Sequence, residues 1–115
     1  MATTHLLRAR LEQLMASMAL KPSDLAGTLG ASERTVARWL ADETYPQHES
    51  REALERLSQL EGRLNETFTS QAAVHAWMRA ESGFFGGLAP IDALLRGRVD
   101  AVEAALDALD TGVFV

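Results

Sequence analysis

A chain of 115 residues, 47% of them hydrophobic, is long enough for one compact unit or two very small ones sharing a core. With no cysteine, neither a disulfide framework nor a Cys-based zinc site can form. The net charge of −5 excludes nucleic-acid binding by overall charge. That charge divides unevenly. Residues 1 to 60 carry 7 Lys/Arg against 8 Asp/Glu, a net −1, and residues 61 to 115 carry 4 against 8, a net −4. A DNA contact therefore belongs to a local patch on the first half, and the second half should prefer a basic protein partner. No apolar run approaches the ~20 residues of a membrane span, and the N-terminus has no signal-peptide pattern, so the expectation is a soluble cytoplasmic protein. Ala, Leu, Glu and Arg dominate, which makes all-α the natural class.

The first predicted helix runs from His5 to Ala19. Its stripe is Leu6, Leu7, Leu11, Leu14, Met15 and Met18, with Arg8, Arg10 and Glu12 outside. Pro22 opens a second helix at its first position, with Asp24 in the first turn. The string PSDLAGTLGASERTVARWL, Pro22 to Leu40, looks like a helix-turn-helix of the Xre/Cro type. Ala26 is expected to be small because two helices cross there, Gly30 to adopt a positive φ, and Ser32 to cap the next helix. Leu25, Leu29, Val36 and Trp39 fill the space between.

On that reading the recognition helix spans Ser32 to Ala41. The residues expected to meet operator DNA are Ser32, Glu33, Arg34, Thr35, Ala37 and Arg38. Arg34 or Arg38 would contact guanine edges or phosphates, and Thr35 or Ser32 phosphates. Arg8 and Arg10 would add backbone contacts. The competing reading leaves Arg34 and Arg38 as solvated helix charges, with Glu33 and Asp42 weakening the patch. Trp39 reads as a core anchor.

DETYPQHES, Asp42 to Ser50, is a polar break with Pro46 inside it. A long helix follows from Glu49 to Asn65. Leu54, Leu57, Leu60 and Leu64 form its inner face, and Arg51/Glu55 and Glu52/Arg56 are i,i+4 pairs outside. Thr69 or Ser70 then caps a helix holding Ala73, Val74, Trp77 and Met78. Gly86 and Gly87 supply a turn, Pro90 starts a short helix, and Gly97 stops it with a left-handed residue.

The last helix is predicted from Arg98 to Leu109, with Val99, Val102, Leu106 and Leu109 on its apolar stripe. Asp100, Glu103, Asp107 and Asp110 repeat the same 3, 4, 3 spacing as an acidic stripe about 100° away. Glu103 and Asp107 repel at i,i+4, and Asp107 and Asp110 oppose the negative end of the helix dipole, at a few tenths of a kcal/mol each. Either water solvates that face or a basic partner offsets the repulsion. Gly112 sits where a C-terminal cap belongs, and Val113, Phe114 and Val115 follow as an apolar strip that ends in a carboxylate.

No catalytic residues, metal ligands or cofactor are expected. His5, His48 and His75 are too far apart for a local metal motif, and no Gly-rich phosphate loop follows a strand.

FGGLAP (Phe85 to Pro90), LLRG (Leu94 to Gly97), RVDAV (Arg98 to Val102), the terminal ALDTGVFV and Trp77 resemble the toxin-binding domain of the Xre/MbcA/ParS family of bacterial antitoxins, over roughly residues 70 to 115. With the earlier elements this gives three expected parts: 1–48 as a helix-turn-helix unit, 49–69 as a connecting helix and, from the resemblance, 70–115 as the toxin-binding unit with an extended tail. It also implies a RES-domain toxin that consumes NAD, blocked at its active site by the C-terminal region, and repression of the antitoxin's own operon. The toxin-binding residues it points to are Trp77, Pro90, Asp107, Asp110, Gly112, Val113, Phe114 and Val115. A homodimer, and higher toxin–antitoxin assemblies, are expected because one such module reads only a half-site. Two other readings stay open: a stand-alone helix-turn-helix regulator, and an antitoxin whose helix-turn-helix no longer binds DNA.

Overall fold

The computed structural model describes residues 2–112, and among them it is all-helical. The helices are α1 (Ala2–Met18), α2 (Pro22–Leu29), α3 (Glu33–Leu40), α4 (His48–Thr67), α5 (Gln71–Arg79), α6 (Pro90–Leu94) and α7 (Val99–Thr111), with a 3-10 turn at Gly83–Phe85. No helix among them is long and apolar enough to cross a membrane.

Helix α4 is the spine. Its 20 residues span about 30 Å of a molecule measuring 45 × 25 × 21 Å. The predicted leucine stripe at 54, 57, 60 and 64 is buried along its whole length, and α4 packs against α1, α2, α5 and α7. One apolar cluster draws residues from every helix, from Leu11 and Leu25 to Leu94 and Leu106. Trp39 is 2% exposed and belongs to this core, so it is a packing anchor.

The local punctuation explains the ends. Gly30 (φ 68°) turns the chain after α2, with its N–H on the Ala26 carbonyl. Ser32 Oγ then accepts from the Thr35 N–H at 3.1 Å and starts α3. Ser70, not Thr69, caps α5 in the same way through the Ala73 N–H. Gly97 (φ 77°) redirects the chain between α6 and α7, and Gly112 (φ 76°) ends α7. Without a breaker, α4 runs two residues past the predicted Asn65, to Thr67.

Leu6 departs from the expected stripe and is 69% exposed. Positions 7, 11, 14 and 18 enter the core, whereas 6, 10 and 13 line an adjacent face that opens beside Glu61 of α4. Glu61 itself interrupts the inner side of α4 and is buried. Its carboxylate accepts from Ser17 Oγ at 2.5 Å and from Gln13 Nε2 at 3.3 Å, which satisfies the polar group between α1 and α4.

The end of α1 is held from outside. Ala19 takes φ 55°, a left-handed conformation without the glycine that usually adopts it. His75 Nε2 donates to the Ala16 carbonyl at 2.9 Å, and Arg79 donates to the Ala19 carbonyl at 2.6 Å. These donors from α5 take up free carbonyls at the negative end of the α1 dipole. Ala19→Gly should therefore raise stability by about 0.5–1 kcal/mol by removing the Cβ penalty. Thermal unfolding followed by circular dichroism checks this; an unchanged or lower midpoint would mean that α1 does not end in this way.

Candidate functional site

Two faces carry exposed chemistry, one on α3 and one around α6 and α7. On α3, Glu33, Arg34, Ala37 and Arg38 are exposed, as the sequence led one to expect. Arg34 and Arg38 lie one turn apart and have no ion-pair partner among the described residues, and they border an open depression of about 390 Å³ with Ala37, Ala41 and Glu43. Ser32 and Thr35 are committed locally: their hydroxyls bond to each other at 2.9 Å, and Ser32 also caps the helix. Arg8 is not left to a ligand either, since it pairs with Asp42 at 3.3 Å, and Arg10 donates to Ser58 Oγ at 2.8 Å.

The acidic stripe of α7 is where the expectation and the structure differ most. Arg63 of α4 lies 2.8 Å from Asp107 and 3.0 Å from Asp110, and it also donates to the Glu103 carbonyl at 3.3 Å. Arg56 reaches Glu103 at 3.4 Å instead of pairing with Glu52, which meets His48 at 3.0 Å. Arg98 holds Asp100 with two hydrogen bonds of 3.0 Å. The like-charge repulsion along α7 is thus offset inside the chain. Partial burial opposes the Arg63 charge, but hydrogen bonds to Asp110 and Asp107, with their charges, hold the guanidinium above its ordinary value. The bond from Arg98 holds the Asp100 carboxyl below the usual carboxylate range. Asp107 and Asp110 still expose 70% and 53% of their side chains, so both remain open to a partner.

Trp77 is half-buried, its ring 5.6 Å from that of Phe68. Pro90 is buried at the start of α6, where it sets the entry of that helix. Gly112 is exposed, and Val113, Phe114 and Val115 lie outside the described residues.

A feature not singled out in the sequence lies between the loop before α6 and the start of α7. The Ser82 carbonyl accepts the Gly87 N–H at 2.9 Å, and the Ser82 N–H donates to the Leu88 carbonyl at 3.0 Å. That closed loop presents Leu88 half-exposed beside Phe85. Asp92 Oδ2 accepts the Ala89 N–H at 2.8 Å and fixes the start of α6. The result is a cleft of about 200 Å³, floored by Ala93 and Ala101 and edged by Arg96 and Arg98. Leu88 within the GGLAP string was the available signal: an apolar residue beside two turn glycines has little core to enter.

The two halves meet through backbone. A Cβ on Gly27 of α2 would stand 2.7 Å from the Leu95 carbonyl oxygen, so α2 rests directly on the turn between α6 and α7.

Comparisons with known proteins bear on these surfaces. Residues 63–112 match the family model described as the antitoxin Xre/MbcA/ParS C-terminal toxin-binding domain. That match begins at Arg63 inside α4, seven residues before the predicted boundary. Over 98 residues the chain is 30% identical to the mycobacterial cidal antitoxin MbcA of Mycobacterium tuberculosis and of Mycobacterium bovis, spanning 85% of this chain and 86% of each relative. It is also similar to a chain in the crystal structure of the M. tuberculosis MbcT–MbcA toxin–antitoxin complex, with a TM-score of 0.67 and 27% identity, over 95% of this chain and 97% of that one.

Proposed function

The chain belongs to the Xre/MbcA/ParS antitoxin family, and from that premise we propose that it neutralises a RES-domain toxin by direct contact through its C-terminal half. The observation that carries this reading is the match of residues 63–112 to a toxin-binding domain, a region whose surface includes Asp107, Asp110, Arg96 and the exposed Leu88. The M. tuberculosis complex of MbcT with MbcA supports it by analogy. In this reading Trp77 and Pro90 hold the toxin-facing helices in place, Asp107 and Asp110 meet basic groups of the toxin, and Gly112 with residues 113–115 acts at the toxin's NAD site. The toxin consumes NAD, and the antitoxin has no catalytic part.

Co-expression tests the reading. The chain, tagged at its N-terminus, is produced together with the RES-domain toxin proposed as its partner. The expected result is a stable complex after affinity and size-exclusion chromatography. Separate elution of two folded proteins would refute the proposal.

A second activity, operator binding by a dimer, is favoured by Arg34 and Arg38, the two guanidiniums on the exposed face of α3 that have no ion-pair partner among the described residues. Arg38→Ala is expected to weaken operator binding by about 1–3 kcal/mol if the side chain reads a base, with the fold intact. Gel shifts at low salt, with and without toxin, measure it. An unchanged sequence preference would remove Arg38 from the readers.

A further inference from the structure

We propose that the cleft between Leu88 and the start of α7 seats one partner loop, which presents a single apolar side chain followed by a carboxylate. The inference rests on the toxin-binding reading above and names the chemistry of the toxin segment. Three observations on different properties converge on it.

The first is size. A volume of about 200 Å³ falls below the roughly 300–1,000 Å³ of small-molecule pockets, so the cleft suits one side chain better than a ligand. The second is surface character. Leu88 is 50% exposed, Phe85 stands beside it with its ring edge-on to Phe84 at 5.2 Å, and Ala93 and Ala101 leave a shallow apolar floor. An apolar anchor in such a socket is the usual centre of a protein interface. The loop carrying Leu88 is closed by hydrogen bonds through Ser82, so little ordering cost is added on binding.

The third is charge. Around the rim, Asp100 already neutralises Arg98, and Asp92 keeps its charge but turns Oδ2 to the Ala89 N–H at the start of α6. Arg96 is exposed and has no ion-pair partner among the described residues. The cation left over at the cleft is therefore Arg96, and an arginine fork pairs best with a carboxylate. This surface lies toward the first turn of α7, whereas Asp107 and Asp110 lie in its last turns. A partner that matches both is acidic at one end of the helix and basic at the other. The groove beside Glu61 makes a weaker candidate, because Ser17 and Gln13 already satisfy that carboxylate.

The test uses the purified full chain and the purified RES-domain toxin proposed as its partner, with affinities from calorimetry. Leu88→Ser and Arg96→Glu alter exposed side chains and should fold normally by circular dichroism. Each is expected to weaken binding at least about tenfold, while Leu88→Met and Arg96→Lys retain most of it. Raising salt from low to physiological levels should weaken the wild type more than Arg96→Gln. If the wild type binds and both Leu88→Ser and Arg96→Glu bind as tightly, the cleft is not the seat. If the wild type itself does not bind, the toxin-binding reading falls and this inference with it.

Discussion

Gly27→Ala is expected to destabilise the protein by about 1–3 kcal/mol, against the usual rule for helices. Alanine is the better helix former by about 1 kcal/mol, and Gly27 lies inside α2 with no positive φ. Propensity alone therefore predicts a gain. The added Cβ, however, would stand 2.7 Å from the Leu95 carbonyl oxygen, and a backbone atom cannot swing aside as a side chain does. Either α2 or the α6–α7 turn must move. Gly62 of α4 is the matched control, because a Cβ there meets nothing within 4 Å. Gly62→Ala should stabilise by about 0.5–1 kcal/mol. Urea unfolding of both variants decides the matter by sign. Equal gains in the two would show that α2 does not rest on that turn.

The second large effect concerns the end of the chain. Removing residues 112–115 should leave a folded protein, since an extensive apolar cluster is built from residues before Gly112. The truncated chain is expected to bind the RES toxin through α6 and α7 but to protect NAD poorly. Burying Phe114 or a valine is worth roughly 1.5–3 kcal/mol each, so inhibition should weaken on the order of tenfold to a hundredfold. Full protection by the truncated chain would remove residues 113–115 from the mechanism. Complete loss of binding would make them an anchor instead of a plug.

Much of the fold was legible because its signals are local. Pro22, Gly30, Ser32, Ser70, Pro90 and Gly112 act within a few residues, and each stands at the start or end of a helix. Gly97, expected to cap α6, lies in the turn beyond it, because α6 already ends at Leu94 with Leu95 as its cap. The 3, 3, 4 leucine spacing of α4 marks its buried face for the same reason. What the sequence concealed is non-local. The tight contact was assigned to Ala26, which is indeed buried, but the closest backbone approach lies one residue on, at Gly27, and faces a turn about seventy residues away. Arg63 resembled any solvated charge on a long helix until α7 was placed beside it, so the α7 acidic stripe looked unpaired. Glu61 similarly broke an apolar pattern for a reason held on α1, in Ser17 and Gln13. The cleft at Leu88 needs three segments to exist, and no spacing rule assembles it.

The central claim is that this chain silences a toxin by contact, and its most direct measurement is NAD loss. The purified RES-domain toxin proposed as its partner is held at a fixed concentration with NAD while the purified full chain is titrated in. NAD loss is expected to fall to its background rate as the chain reaches an equivalent amount. NAD loss that continues unchanged across the whole titration, with both proteins folded, would contradict it.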